Sequence, residues 1–185
     1  MGWLLDTNIL SELRRPRPEQ KVLAFVAAQP LELLYVSSVT FAEIRFGIEL
    51  VGDANLRAEL NDWLAHKVRP MFEQRVLAIT EDIMFKWRLL VEDGRKAGHT
   101  FSQPDLIIAA TALHHGLTVV SRDKSDFQKA RVPLLNPWVR SATATIQALS
   151  ANAPDNGLLL KIPLLTCGCF PNSDAASVEA SIWSL

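Results

Sequence analysis

The chain has 185 residues, 49% of them hydrophobic, and a formal net charge of −1. This is enough for one domain with a sizeable core, whereas the charge excludes a protein that binds nucleic acid through a basic surface alone. With no apolar run near the roughly 20 residues that cross a bilayer, no signal-peptide pattern, and only Cys167 and Cys169 as cysteines, we expect a cytoplasmic protein without membrane contact.

Short apolar runs of strand length recur along the chain with little polar alternation. Such runs are typical of parallel strands that are buried on both faces. The four stronger runs are residues 2–5, 33–38, 76–79 and 117–121. A weaker run at 132–135 contains Pro133 and therefore suits an edge strand.

Between these runs, apolar residues recur at helical spacing. The stripes lie within residues 22–26, 56–64, 83–91 and 106–113, and the last of them stops at Gly116, a typical helix end. Strands that alternate with helices predict an α/β layered fold.

Four acidic residues lie where a predicted strand ends or a predicted helix begins. Asp6 directly follows the first strand, and Asp123 comes two residues after Ser121, at the end of the fourth strand. Glu43 and Asp105 are each expected in the first turn of a helix. Because ligands bind at the carboxyl ends of parallel strands, where consecutive loops converge, we expect all four carboxylates at one edge of the sheet.

Each of these acids also has a structural interpretation. Residues 40–43 and 102–105 both fit the capping-box pattern at a helix start, and single acids in the loop 121–127 would be solvated charges. Gathered together, however, carboxylates repel unless a cation neutralises them. Oxygen ligands without nearby histidine or cysteine favour Mg²⁺ or Mn²⁺.

The segments that carry these acids resemble the PIN-domain ribonucleases, in particular the VapC-type toxins of type II toxin–antitoxin pairs and their FitB-like branch. The resemblance covers residues 1–138 and ends at the sequence LNPW. It lies in four segments that occur in the same order as in the family: residues 4–10 (LLDTNIL), 38–48 (SVTFAEIRFGI), 105–112 (DLIIAATA) and 121–127 (SRDKSDF).

This resemblance implies a three-layer α/β/α domain with a central parallel sheet and an endoribonuclease site that depends on Mg²⁺ or Mn²⁺. Asp6 and Asp105 would be direct metal ligands, and Glu43 and Asp123 would complete the site. An activated water would then attack the phosphate and leave a 5′-phosphate and a 3′-hydroxyl.

Other residues would support the site. Thr7 and Asn8 would position the first carboxylate and its water, while Asp126 would either contribute to the site or anchor the loop before Phe127. The sequence also suggests RNA backbone contacts for three arginines, namely Arg45, Arg69 and Arg122.

Family members of this type usually dimerise and are held inactive by a cognate antitoxin of the VapB or FitA kind. The C-terminal segment of the antitoxin fills the active-site groove, and its N-terminal part binds operator DNA. The resemblance therefore implies an RNA substrate, a homodimer, a small antitoxin partner and DNA contact through that partner.

Residues 139–185 depart from this pattern. They are rich in Ala, Ser, Leu and Asn and show no sustained hydrophobic period. We expect an extension of unknown role, either an inserted module or the product of translation past the ordinary stop, by frameshift or through vector sequence, and we favour the second origin.

Three other classes of protein fit the sequence less well. A receiver-like, Mg²⁺-binding signalling domain would need a paired acid near Asp6 and a lysine on the last strand, whereas Lys124 lies in a predicted loop. A haloacid-type phosphatase would need aspartate where Asn8 stands. A catalytically inactive PIN-like binding module would usually lack one of the four acids, and all four are present.

Overall fold

The structure is a computed structural model that describes residues 1–139. Predictions about the rest of the extension, including Cys167 and Cys169, lie outside the described residues. At the centre is a five-stranded sheet in which all neighbouring strands are parallel. Its strands are β1 (Trp3–Leu5), β2 (Leu34–Ser37), β3 (Val76–Leu77), β4 (Thr118–Val120) and β5 (Leu134–Leu135).

Helices fill the connections between the strands, and all four predicted helical stripes are confirmed. Gly116 ends α7 in the left-handed conformation with φ of 64°, as the sequence suggested. The helices are α1 (Thr7–Arg14), α2 (Gln20–Ala27), α3 (Ser38–Glu49), α4 (Ala54–Trp63), α5 (Arg69–Met71), α6 (Glu81–Lys96), α7 (Gln103–His115) and α8 (Ser125–Lys129). The helices α1, α5 and α8 were not predicted from hydrophobic spacing, and α3 was expected only from its capping-box pattern.

Successive residues of each central strand point into different hydrophobic clusters. Leu5 and Val120 pack in a cluster with α1, α2, α3 and α4. Leu4 and Val119 pack in a second cluster, with α6, α7 and α8. The alternation follows from the pleat of a strand, which turns neighbouring side chains to opposite faces. The sheet is thus covered on both faces, which confirms the three-layer α/β/α architecture.

The strand order, β3-β2-β1-β4-β5, puts β1 at the centre of the sheet and β5 at one edge. The chain builds outward from β1 through β2 to β3, then returns to the other side of β1 to form β4. This reversal is a topological switch point, and ligands of open parallel sheets bind outside the carboxyl ends of the strands there. Asp6 follows β1 and Ser121 follows β4, so both stand at this point.

One local prediction was wrong. The helix that carries Glu43 does not begin with a capping box at Thr40, because Ser37 is the N-cap and its hydroxyl accepts a hydrogen bond from the Val39 amide. Glu43 therefore lies in the second turn of α3 instead of the first. The Thr40 hydroxyl instead donates to the carbonyl of Leu5, at the end of β1.

No helix within residues 1–139 is long and apolar enough to span a membrane.

Candidate active site

A cleft of about 390 Å³ lies outside the carboxyl ends of β1 and β4. The four acids Asp6, Glu43, Asp105 and Asp123, which are separated along the chain, all line it. Thr7 and Asn8, which directly follow Asp6 and were predicted to support the site, line the cleft as well. The remaining lining residues are Ser11, Phe46, Gly47, Ser102, Pro104, Ile108 and Arg122.

Asp6 is buried at the floor of this cleft and is held by three donors. Its Oδ1 accepts from the Thr7 amide at 2.7 Å, which makes Asp6 the N-cap of α1. Its Oδ2 accepts from the Ser121 hydroxyl at 2.6 Å and from Asn8 Nδ2 at 2.8 Å. The pKa of Asp6 is raised from 3.8 to about 6, mainly by burial and to a smaller extent by the neighbouring Asp123, against the opposing effect of these donors.

Ser121 links Asp6, at the end of β1, to the loop after β4, and it was not predicted as a site residue. Besides donating to Asp6, its Oγ accepts from Asn8 Nδ2 at 2.9 Å and from the Asp123 amide at 3.0 Å. Its partner Asn8 also lies 3.2 Å from Asp123 Oδ2 and accepts from the Arg122 amide through Oδ1. One hydroxyl therefore orients both the Asp6 carboxylate and the loop that carries Asp123.

Asp105 lies in the first turn of α7, as predicted, and Ser102 is the N-cap residue. The Ser102 hydroxyl, however, makes no capping bond to the helix backbone. The pKa of Asp105 is raised from 3.8 to about 7, mainly by burial and in addition by the carboxylates of Asp6, Asp126 and Asp123, while the Ser102 hydroxyl opposes the rise. Asp105 thus faces more negative charge with fewer donors than Asp6 does.

Glu43 reaches the cleft from α3, a helix that packs directly against α7. The helix begins immediately after β2, so the second turn projects beyond the carboxyl edge of the sheet. The contact between α3 and α7 explains how Glu43 and Asp105 come to line the same cleft.

Asp126 does not line the cleft. Its Oδ2 accepts from the Ser102 amide at 2.6 Å, and its Oδ1 lies 3.4 Å from Lys129 Nζ. Asp126 therefore ties α8 to the start of α7, which is the anchoring alternative left open by the sequence. Its charge still reaches the site, because it contributes to the raised pKa of Asp105.

Of the three arginines considered for RNA contact, only Arg122 lines the cleft. Its guanidinium lies 5.7 Å from the centroid of the Trp138 ring, a favourable cation–π distance. Arg69 instead lies over the ring of Phe41 at 4.8 Å.

The chemistry of the lining residues fits a hard divalent cation. The ionisable side chains facing the cleft include four carboxylates and no histidine or cysteine, a donor set that suits Mg²⁺ or Mn²⁺. Crowding and burial disfavour ionisation of Asp6 and Asp105, a cost that a bound cation would relieve. Within residues 1–139, however, no three His, Cys, Asp or Glu side chains are already arranged to hold a metal ion. The cleft supplies suitable ligands but is not a preformed metal cage.

The PIN domain family matches residues 3–133 of this sequence. Those residues contain four of the five strands, β1 to β4. They also contain all eight α-helices and all four cleft acids. The chain therefore belongs to the PIN-domain family, and the receiver-like and phosphatase-like interpretations are set aside.

Within that family, the chain is similar to proteins of the VapC and FitB group. It is 37% identical to VapC ribonuclease Y4jK of Sinorhizobium fredii, over 73% of this chain and 96% of the relative. It is 36% identical to toxin FitB of Neisseria gonorrhoeae, over 73% of this chain and 97% of FitB. A solved structure of FitAB bound to an IR36 DNA fragment matches with a TM-score of 0.70 and 33% identity, covering 75% of this chain and 97% of the solved chain.

Proposed function

We propose that this protein is an endoribonuclease that depends on Mg²⁺ or Mn²⁺ and serves as the toxin of a toxin–antitoxin pair. The observation that carries the proposal is the convergence of Asp6, Glu43, Asp105 and Asp123 on one cleft at the switch point of a PIN domain. The similarity to a VapC ribonuclease supports RNA as the substrate, and the similarity to the FitB toxin supports the role of a toxin.

In this proposal the four carboxylates hold the cation, with Asp6 and Asp105 as the principal ligands. When bound there, such a cation would activate a water and would neutralise charge on the scissile phosphate. Asp6 is kept in one orientation by Ser121, Asn8 and its own helix cap, so its position does not have to be set when substrate arrives. Arg122 places a positive charge on the cleft wall, where a phosphate could be received.

The test uses the full-length chain, purified free of any antitoxin, and an unstructured RNA oligonucleotide. We expect cleavage with Mg²⁺ or Mn²⁺, loss of cleavage in EDTA, and recovery when the metal is restored. The products should carry 5′-phosphate and 3′-hydroxyl ends. Glu59→Gln, an exposed acid away from the cleft, is the matched control for Asp105→Asn, since both remove one negative charge.

Each negative outcome has its own meaning. Cleavage that survives EDTA would exclude the metal but not the nuclease. Equal cleavage by Asp105→Asn and Glu59→Gln would indicate a contaminating ribonuclease or a different site. Absence of cleavage on any RNA would favour the inactive PIN-like module.

We further propose that the protein acts in the cytoplasm, as a homodimer, and is inhibited by a small antitoxin of the VapB or FitA kind. The solved FitAB complex with DNA supports a partner that supplies the DNA contact, which agrees with the net charge of −1 on this chain. Co-expression with the product of a small adjacent open reading frame should yield a stable complex that binds operator DNA and does not cleave RNA. The chain alone should not bind that DNA, and light scattering should give the mass of a dimer.

A further inference from the structure

Phe46 is an exposed aromatic residue on the wall of the acidic cleft. It lies on α3 one turn after Glu43 and lines the same cleft. More than half of the residue, 57%, is exposed to solvent. Packing within the described domain therefore does not account for an aromatic ring at this position, since exposure forgoes most of what burial would contribute.

The residues that line the cleft around the carboxylates differ in chemistry. Phe46 on α3 and Pro104 and Ile108 on α7 supply apolar side chains to the lining. Arg122, from the loop after β4, and Asn8, from the first turn of α1, are polar lining residues. A nucleotide has the matching division, because its phosphate is charged and its base presents an aromatic face.

We propose that Phe46 stacks on a nucleobase of the RNA beside the scissile phosphate and so contributes to substrate binding. This inference rests on the proposed ribonuclease function. Side chains three positions apart on a helix have Cβ atoms roughly 5–6 Å apart, so the Phe46 ring is next to Glu43, within reach of a nucleoside adjoining the reacting phosphate. Base stacking on aromatic residues is tolerant of sequence, since every base has a π-face.

Stacking also addresses a difficulty created by the charge of the protein. The chain carries a net charge of −1 and lines its cleft with four acids, so long-range attraction to phosphate contributes little to RNA binding. An uncharged contact such as an aromatic platform adds affinity without changing the acidic character of the site.

Leu50 distinguishes a base-stacking role of Phe46 from a role in docking another protein. It is the C-cap residue of α3, one turn beyond Phe46, and is 53% exposed, but it does not line the cleft. An apolar helix laid along α3 would cover both side chains, because such helices anchor at i and i+4 positions. A stacked base needs only Phe46.

The first experiment measures KM and kcat for cleavage of an unstructured RNA oligonucleotide by the full-length chain without antitoxin. We expect Phe46→Ala to raise KM roughly fivefold or more, the equivalent of losing one stacked base, with a smaller change in kcat. Phe46→Trp should retain the KM of the wild type, whereas Phe46→Leu should not, because it keeps an apolar side chain but lacks the ring. Leu50→Ala and Phe85→Ala are matched controls, since Phe85 is 66% exposed on α6 and does not line the cleft.

The second experiment removes bases from the RNA one at a time. With the wild type, one abasic position near the cleavage site should raise KM by about as much as Phe46→Ala does. With Phe46→Ala, the same abasic position should cost nothing further, because a thermodynamic cycle isolates the interaction of two partners. Thermal melts would verify that the variants fold, which is expected for substitutions of an exposed residue.

The outcomes distinguish this inference from the proposed function. If the wild type cleaves RNA but Phe46→Ala has a KM within twofold of it, or if the abasic effect is the same in both proteins, the stacking contact is wrong. If Leu50→Ala raises KM as much as Phe46→Ala, the effect does not come from the one ring that lines the cleft, and the inference also fails. If the wild type cleaves no RNA, the ribonuclease function fails and the inference falls with it.

Discussion

Asp6 and Asp105 line the same cleft from different elements of the fold, and the protein supports them differently. Asp6, between β1 and β4, accepts hydrogen bonds from Thr7, Ser121 and Asn8. For Asp105, on α7, the Ser102 hydroxyl is the one group that lowers the pKa. Three neighbouring carboxylates oppose its ionisation. The Asp6 side is therefore fixed by the protein, whereas the Asp105 side depends on a bound cation to compensate its negative charge.

The largest effect should come from removing either carboxylate. Asp6→Asn and Asp105→Asn should each lower kcat/KM for RNA cleavage by at least about a hundredfold, since each removes a principal metal ligand. The two variants should differ in their metal dependence, because Asp6→Asn also changes an acceptor in the hydrogen-bond network. We expect excess Mn²⁺ to restore more activity to Asp105→Asn than to Asp6→Asn.

Equal rescue of both variants by Mn²⁺ would contradict the distinction between a fixed and a cation-dependent side. The measurement is a titration of cleavage rate against metal concentration for each variant. The Glu59→Gln protein, prepared in parallel, should follow the wild type at every concentration.

A smaller loss is expected from Ser121→Ala, which tests whether the Asp6 side is truly fixed by the protein. The substitution removes the 2.6 Å donor to Asp6 Oδ2 and the acceptor for the Asp123 amide. Partners that orient metal ligands typically contribute about 10–100-fold to activity or metal affinity, so we expect a loss in that range. Thr111→Val is the control, because it removes another buried hydroxyl, one that bonds only a carbonyl of its own helix.

If Ser121→Ala retains full activity and metal affinity, the hydrogen-bond network is structural and the Asp6 side is no better supported than the Asp105 side. If Thr111→Val loses as much activity as Ser121→Ala, the loss reflects general destabilisation instead of carboxylate orientation.

The same contrast shows what the sequence could predict. All four acids were found because each lies beside a recognisable strand end or helix start, and parallel strands bring such positions together. Ser121 was missed because its role depends on β4 pairing with β1, which sets Val120 level with Leu5. That register is a long-range contact with no local signal.

The local errors have the same physical origin. Residues 40–43 do form the pattern of a capping box, but β2 runs directly into α3, and Ser37 caps the helix three residues earlier. Tertiary context therefore outweighed a local pattern. The helix α1 was not predicted because its eight residues follow β1 at once, and only the Asp6 cap marks its start.

Measurements of the free energy of unfolding should reveal what it costs to ionise Asp105 in the folded protein. The pKa of Asp105 is about 7 in the folded protein and 3.8 in the reference state, so ionisation favours the unfolded chain. The cost is absent below about pH 4, grows as the pH rises, and is complete above about pH 7. Asp105→Asn removes it and should stabilise the protein at about pH 8 by on the order of 1–2 kcal/mol, after allowance for solvent screening.

Thermal melts in EDTA would measure this effect as a rise in Tm of about 2–8 °C at pH 8 that diminishes towards pH 4. Glu59→Gln should show no comparable rise. Added Mg²⁺ should raise the Tm of the wild type more than that of Asp105→Asn, since a ligand stabilises the state that binds it. A Tm for Asp105→Asn below that of the wild type at pH 8 would contradict the proposed electrostatic cost.

The smallest expected effect concerns Arg122, the positive charge on the fixed side of the cleft. Its backbone is tied to Asn8 and Asn136, and its guanidinium rests near Trp138, so it is positioned before substrate binds. Arg122→Ala should raise KM about two- to fivefold at low salt and reduce the slope of log KM against log salt concentration by about 0.7, the value for one phosphate contact on a single strand. Arg88→Ala, on the exposed surface of α6, should change neither quantity. A loss of kcat with an unchanged salt slope would mean that Arg122 supports the loop of Asp123 instead of contacting RNA. The Asp6 side of the cleft would then be held in place by the protein but would make no contact with the substrate through Arg122.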